Sequence, residues 1–493
     1  MIYVWAVVLY AAVLIVVSLV RGRGVKSQED FMVAGRSTPW LLLAGTLVCT
    51  WIGSGSLFGG AGLAFRMGFS QLWMSAGAWV GIAIVYFLAH RVRRIAQYTV
   101  SDILETRYNH WARILGTLSI IIAYLTIAGY QFRGGGRLLN ILAGIDPTIG
   151  GLITCGVTIL FTIIAGLVSI IAIDIINGLV MTLGVIIAVP LVLSAVGGWE
   201  QVQALPADHF MVFGNSNWIW AAGVFFPTFF LLLGESSMYQ KFFAAKDEST
   251  ARKAVVGMIV GVIIVESLLC GLAVIGSAKY INDPAFVSVD GTPNKAVTET
   301  IILQVARHDL PTFAGILLMV AAVAIILSTA NTFLMIPSTN IARDIYQRFI
   351  NPDISQAGII RFQRIAIVVL GGVAYVVATF FKSILDMAFT AYTMVGAGVT
   401  PALLAAFLWK RATVAGGVAS ISAGIFVTLF ITIANFILHE PLMETDYIIL
   451  PAASASILAL IVVSLMTPPP AEEKWRPFWT NTGMKEELKK QVA

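Results

Sequence analysis

Runs of about 20 apolar residues recur along the whole chain, each long enough to cross a hydrocarbon core of roughly 30 Å. Thirteen spans are expected, at about 2–21, 38–64, 70–92, 112–140, 148–168, 171–196, 217–243, 253–278, 309–343, 360–381, 386–409, 413–437 and 446–466. The pattern predicts an all-α polytopic membrane protein. The first run has the length of a secretory signal. It lacks a basic segment before it and a small-residue cleavage site, and Arg21, Arg23 and Lys26 follow it, so it is read as a retained helix.

Of the 493 residues, 58% are hydrophobic and 12% charged, against about a quarter charged in a soluble domain. The net charge of +5 carries no implication for nucleic acid, because the basic residues collect in one set of loops. That set holds Arg21/Arg23/Lys26, Arg91/Arg93/Arg94, Lys241/Lys246/Arg252/Lys253, Arg343/Arg348/Arg361/Arg364, Lys410/Arg411 and the tail 474–490. The opposite set has only Lys279, Lys295, Arg307 and Lys382, with acids such as Glu200 and Asp208. The first set is therefore expected in the cytoplasm of a cell-membrane protein, with the N-terminus outside and the C-terminus inside. Cys49, Cys155 and Cys270 lie in separate spans without CxxC spacing, which disfavours disulfides and metal. His90, His110, His209, His308 and His439 sit at span ends or in loops, none spaced as a metal pair. An enzyme would need such a cluster or a nucleophile–base set, so no enzyme is expected. The longest outside segment, about 279–308, is polar, with Pro284 and Pro293, and the tail after "TPPPAEEKW" is short and charged.

Two spans carry interruptions. The second contains "CTWIGSGSLFGGAGLAF", with Gly53, Gly55, Gly59, Gly60 and Gly62 close together; the seventh contains "FFPTFFLLLGESSMYQ", with Pro227, Gly234 and Glu235–Ser237. Glycines can serve close helix packing, but interrupted helices opening two corresponding blocks of five point to a transporter binding site. The ninth span carries Ser328, Thr329, Asn331 and Thr332 inside "AAVAIILSTANTFLMIPSTN". Ile325, Ser328 and Thr329 share one helix face. A buried hydroxyl can bond back to its own helix; four polar side chains in five residues also suit a cation. Freed carbonyls around Cys49–Ile52, the Ile325 carbonyl and two hydroxyls would make five neutral oxygens, a set for a monovalent cation such as sodium.

The ordered set "SQEDFMVAGRSTPW", "YTVSDILETRYNHWARILG", "AGLVSIIAIDIINGL", "STANTFLMIPSTNIARDIY" and "GAGVTPALLAAFLWKRAT" resembles the sodium/solute symporter family over nearly the whole chain. The resemblance implies the leucine-transporter fold, a five-plus-five inverted repeat with one extra helix before and two after. The chain then divides into 1–37 (extra helix and cytoplasmic loop), 38–196 (first repeat), 197–216 (external loop), 217–411 (second repeat), 412–466 (two extra helices) and 467–493 (tail). The resemblance also pairs the second and ninth spans. It implies a sodium site of the Cys49 and Ile52 carbonyls, the Ile325 carbonyl and the Ser328 and Thr329 hydroxyls. A second sodium site of some members would fall on Asp174, Asn331 and Thr332, the asparagine being a departure; Asp174 could instead cap or pair near the cytoplasmic end of its helix.

The solute is expected near the midplane, between the broken helices and the third and fourth spans. Candidates are Trp51, Gly53, Ser56, Gln71, Trp73, Ser75, Tyr124, Tyr130, Gln131, Glu235 and Ser236. A membrane carboxylate is costly and rarely idle. Glu235 could hold a cationic solute, relay a proton, or pair with Arg133; Glu266 could face a watery vestibule or pair locally. "CTWIGSG" is similar to the choline-transporter branch, where a tryptophan at the position of Trp51 helps cage a quaternary ammonium, but Glu235 stands where another cage tryptophan would be. A cationic amine or ammonium is the expected solute, with an organic anion left open by Arg133. The function implied is sodium-coupled symport of a small organic solute by alternating access, by a chain acting as a monomer. The alternatives are a proton-coupled symporter using Glu235 or Asp174, and a channel or transporter-like sensor.

Overall fold

Several helices in this chain start where a polar side chain can take the first free N–H groups. Asn109, Asp146, Asn217, Asp247, Ser383 and Thr413 each accept from a backbone N–H two or three residues on, in the helix they open. Such caps matter most where lipid offers the backbone no other partner. The computed structural model describes residues 2–22, 27–95, 98–287, 291–438 and 440–479. Arg23, Lys26, His439 and residues 480–493 lie outside them.

In chain order the helices are α1 (Ile2–Gly22), α2 (Gln28–Val33), α3 (Trp40–Trp51), α4 (Ala61–Met67), α5 (Leu72–Ile95), α6 (Val100–Arg107), α7 (His110–Ala143), α8 (Pro147–Ala195), α9 (Trp199–Gln203), α10 (Trp218–Gly234), α11 (Ser236–Ala244), α12 (Glu248–Tyr280), α13 (Lys295–Thr298), α14 (Ile301–His308), α15 (Thr312–Thr339), α16 (Gln356–Thr379), α17 (Ile384–Gly398), α18 (Thr400–Leu408), α19 (Val414–Ile437) and α20 (Ile449–Met466). Among the described residues, twelve helical stretches are long and apolar enough to cross a membrane. The thirteen expected spans differ from these at one place. The second span is cut, leaving α3 as a short apolar half, while its other half, a π-type turn over Gly55–Gly60 followed by α4, runs on toward α5. The 49 residues of α8 are too long for a single crossing, roughly 74 Å if straight. A hinge at Gly166, with φ +58°, separates its two apolar spans.

Both expected breaks are present and their geometries match. Ile52 ends α3 with φ −74° and ψ 104°, and Glu235 ends α10 with φ −70° and ψ 105°. Around the two breaks, α15 packs against α8 and α7, α12 against α3 and α5, and α10 against α5 and α17. Every residue of α15 from Ala321 to Thr339 is buried, so its polar cluster faces protein on all sides. The last two spanning helices, α19 and α20, pack on each other beside α17.

Candidate ion and solute site

The last helical hydrogen bond of α3 runs from Ile52 N–H to Val48 O, 3.0 Å, and the next turn starts with Ser56 and Leu57 N–H on Gly53 O. The chain thus turns out of the helix just past Trp51. On α15 the Thr329 hydroxyl lies 3.2 Å from Cys49 O and 2.9 Å from Ile52 O. Ser328 Oγ lies 3.4 Å from Cys49 O. Ile325 stands one turn earlier, and a helical carbonyl points along the axis toward the residue four ahead, here Thr329. Gly53 permits this approach: a Cβ there would stand 2.9 Å from Thr329 Cγ2 and 2.6 Å from Gln131 Nε2.

Ser328 has one proton, and it goes to Asp174 Oδ1, 2.5 Å away. Thr46 donates to Asp174 Oδ2, and Cys49 Sγ to the Asp174 carbonyl, 3.1 Å. The three residues assigned to a second sodium site are engaged separately. Asn331 Oδ1 accepts from Thr162, 3.4 Å, and Thr332 Oγ1 lies 3.4 Å from Thr50 Oγ1. Beside Asp174 stands Lys241, with Nζ 3.6 Å from Oδ2. The basic-loop assignment of Lys241 is therefore corrected: both side chains of the pair are fully buried.

The candidate solute residues form two groups. On one side of the break, Glu266 accepts from the indole N–H of Trp51, 2.8 Å, from Ser56, 3.3 Å, and from the indole N–H of Trp79, 3.1 Å. The Trp51 and Tyr392 rings stack with centres 6.4 Å and planes 26° apart, and the Tyr392 and Tyr130 hydroxyls are 3.3 Å apart. Gln71 Nε2 lies 3.5 Å from Ser75 Oγ. On the other side, Gln131 Oε1 accepts Ser54 N–H, 2.8 Å, while its Nε2 is buried without a partner. Glu235 accepts from Ser237, whose N–H reaches the Tyr124 hydroxyl, 3.3 Å, with Ser236 buried beside them. Trp73 departs from both groups. Its N–H bonds Val212 O, 2.8 Å, and its ring stacks on Phe213, because its face of α5 points to the segment between α9 and α10.

The Arg133–Glu235 pair is absent among the described contacts. Arg133 donates to Ala378 O, 3.1 Å, Phe381 O, 2.5 Å, and Lys382 O, 2.9 Å, where the end of α16 leaves carbonyls without helical partners. Of the two readings of Glu266, the local one describes its contacts. Residues that pattern alone did not single out are Lys241, Thr46, Trp79 and Tyr392. A lysine inside "MYQKFF" was the one available signal.

Polar contacts tie the chain together beyond both ends of this site. On one side, buried Glu299 accepts from Ser383 Oγ, 2.7 Å, Ile384 N–H, 3.1 Å, and Leu385 N–H, 3.0 Å, and pairs with Arg137 of α7. On the other, the start of α3 bridges the end of α11 through Thr38 N–H on Ala244 O, 3.0 Å, and Lys246 N–H on Thr38 O, 3.1 Å. Arg113 there meets Asp102, Glu105 at 2.5 Å and Asp344 at 3.1 Å.

The sodium:solute symporter family model matches residues 31–424. The osmoregulated proline transporter OpuE of Bacillus subtilis is 25% identical over 477 residues, covering 91% of this chain and 92% of that protein. A sodium/proline symporter of Staphylococcus aureus is 23% identical over 492 residues, covering 94% and 92%. A substrate-bound, outward-open Na+-coupled sialic acid symporter superposes with a TM-score of 0.79 at 16% identity, covering 95% of this chain and 98% of that one. The all-α fold with two broken helices is that of the leucine-transporter group, and the relatives are transporters, not enzymes. The chain belongs to the sodium:solute symporter family.

Proposed function

We propose that this protein drives a small zwitterionic solute across the membrane with sodium, by alternating access. The carrying observation is Thr329, whose hydroxyl reaches two carbonyls of the α3 break, 3.2 and 2.9 Å away, with Ser328 beside it. Hard monovalent cations take such neutral oxygens. Cys49 and Ile52 carbonyls, the Ile325 carbonyl and the two hydroxyls would hold the ion, and Asp174 keeps the Ser328 proton turned away from it. The ion links the movable half-helix α3 to α15. Its binding favours the state in which the solute cavity is complete, and a ligand shifts only an equilibrium whose states it binds unequally.

The named relatives transport proline, which favours a solute carrying both ammonium and carboxylate over a cationic amine. Two features of the cavity support this. The unpartnered Gln131 Nε2, beside Gly53 in the α3 break, suits a carboxylate. Glu235, at the carbonyl end of α10, suits an ammonium. Trp51, Tyr130 and Tyr392 offer an apolar wall. With the Lys/Arg-rich loops in the cytoplasm, transport runs inward. One charge moved through 100 mV yields about 2.3 kcal/mol and a tenfold sodium gradient about 1.4 kcal/mol, enough for several-hundredfold accumulation per sodium.

Ser328→Ala and Thr329→Ala should each raise the sodium concentration for half-maximal uptake by roughly 10-fold or more, the cost of a lost buried partner at about 1–3 kcal/mol. Membrane abundance should change little. Uptake is measured in vesicles with a sodium gradient and, separately, a proton gradient. Unchanged sodium activation in both variants, or uptake driven by protons alone, would sink the proposal; the second result would move coupling to Glu235 or Asp174.

A further inference from the structure

We propose that the Lys241 ammonium is a tethered cation standing beside Asp174 where a second sodium would be held, so that each cycle carries one sodium; this rests on the sodium-symport reading above. The surroundings of Nζ are those of an alkali ion. It donates to Thr46 O, 2.8 Å, and to Thr50 Oγ1, and lies 3.6 Å from Asp174 Oδ2. One carbonyl, one hydroxyl and one carboxylate thus surround it, all oxygens, as a hard cation requires. Two protons of the ammonium go to Thr46 O and Thr50 Oγ1, and its charge faces the Asp174 carboxylate. Both charged side chains are fully buried, and a buried charge persists only with a partner of opposite sign.

Both oxygens of Asp174 are already engaged. Oδ1 takes the Ser328 proton, and Oδ2 takes Thr46 and faces Lys241. The carboxylate therefore separates two cation positions. One, lined by Ser328 and Thr329, is for an ion that comes and goes. The other is filled by a side chain that cannot leave. Asn331 and Thr332, which a second sodium would need, are turned to Thr162 and Thr50. The tether also spans three elements: Thr46 and Thr50 belong to α3, Asp174 to α8 and Lys241 to α11. It holds the inner halves of both broken helices to the same carboxylate whether or not sodium is present.

Proteoliposomes test this. Setting solute and sodium gradients against each other until net flux stops counts the ions, and the wild-type protein should stop at one sodium per solute. Lys241→Gln keeps a hydrogen-bonding side chain but leaves Asp174 without its cation. Sodium should then enter that position, and the slope of sodium activation should rise from about 1 toward about 2, the limit for two coupled sites. Lys241→Gln combined with Asp174→Asn removes both charges and keeps an acceptor for Ser328, so the slope should return to about 1. Should the single variant fail to fold, the double variant folding with a slope near 1 still supports the proposal. A wild-type ratio of two, or a slope of two in the double variant, overturns it, as does a Lys241→Gln protein that transports with an unchanged slope. Absence of any sodium stimulation in the wild type would instead overturn the symport reading, a distinguishable result.

Discussion

At the scale of single residues, the site depends on how closely side chains can approach an unwound backbone. Gly53→Ala would bring a methyl group to 2.6 Å from Gln131 Nε2 and 2.9 Å from Thr329 Cγ2. Overpacking of this kind costs about 1–3 kcal/mol, so sodium-stimulated uptake should fall roughly 10-fold or more at unchanged membrane abundance. Uptake close to wild type would mean that Gln131 and Thr329 do not need their present positions. The Ser328–Thr329 pair was legible in the sequence because hydroxyls clustered in an apolar helix are conspicuous. Lys241 was not: a lysine five residues from Lys246 looks like part of the basic loop, and hydropathy does not report depth. Trp73 failed for a related reason. Its position on α5 was right, but only the packed structure shows that its face turns to Val212 and Phe213.

At the scale of elements, the two interruptions were legible from glycine and polar clusters, since a helix in lipid breaks only where such residues let it. Their matching dihedrals at Ile52 and Glu235 were not, because Gly-rich "WIGSG" and polar "GESSM" share no residue pattern. Helix ends away from the site also carry stability. Glu299 occupies the N-terminus of α17 while paired with Arg137. A carboxylate at a helix N-terminus contributes up to about 2 kcal/mol, and losing one member of a buried pair costs about 3–5 kcal/mol. Glu299→Gln should therefore lower the unfolding midpoint by several degrees in detergent, measured by tryptophan fluorescence. An unchanged midpoint would mean that Arg137 and the α17 N-terminus find other partners.

At the scale of the whole molecule, the Lys/Arg-rich end is held by a charge cluster whose acid response follows from its pKa. Burial acts to raise the Asp102 carboxyl, but Arg343 and Arg113 outweigh it, helped by the Tyr98 N–H, and hold it down to about 2. A carboxyl depressed from an unfolded value of about 3.9 contributes stability that is complete above that pH and disappears as pH falls through the folded value. Asp102→Asn should lower stability at pH 7 and flatten the loss between about pH 4 and 2, which acid titrations of the unfolding midpoint would read. The opposite rim shows a different use of charge. Arg133 is spent on the carbonyls that close α16, and Glu299 on the amides that open α17. The zwitterionic solute proposed here carries no net charge, so it should reach this rim by free diffusion rather than by long-range attraction. At fixed sodium, initial rates with scarce solute should then shift by less than about twofold as inert electrolyte is raised.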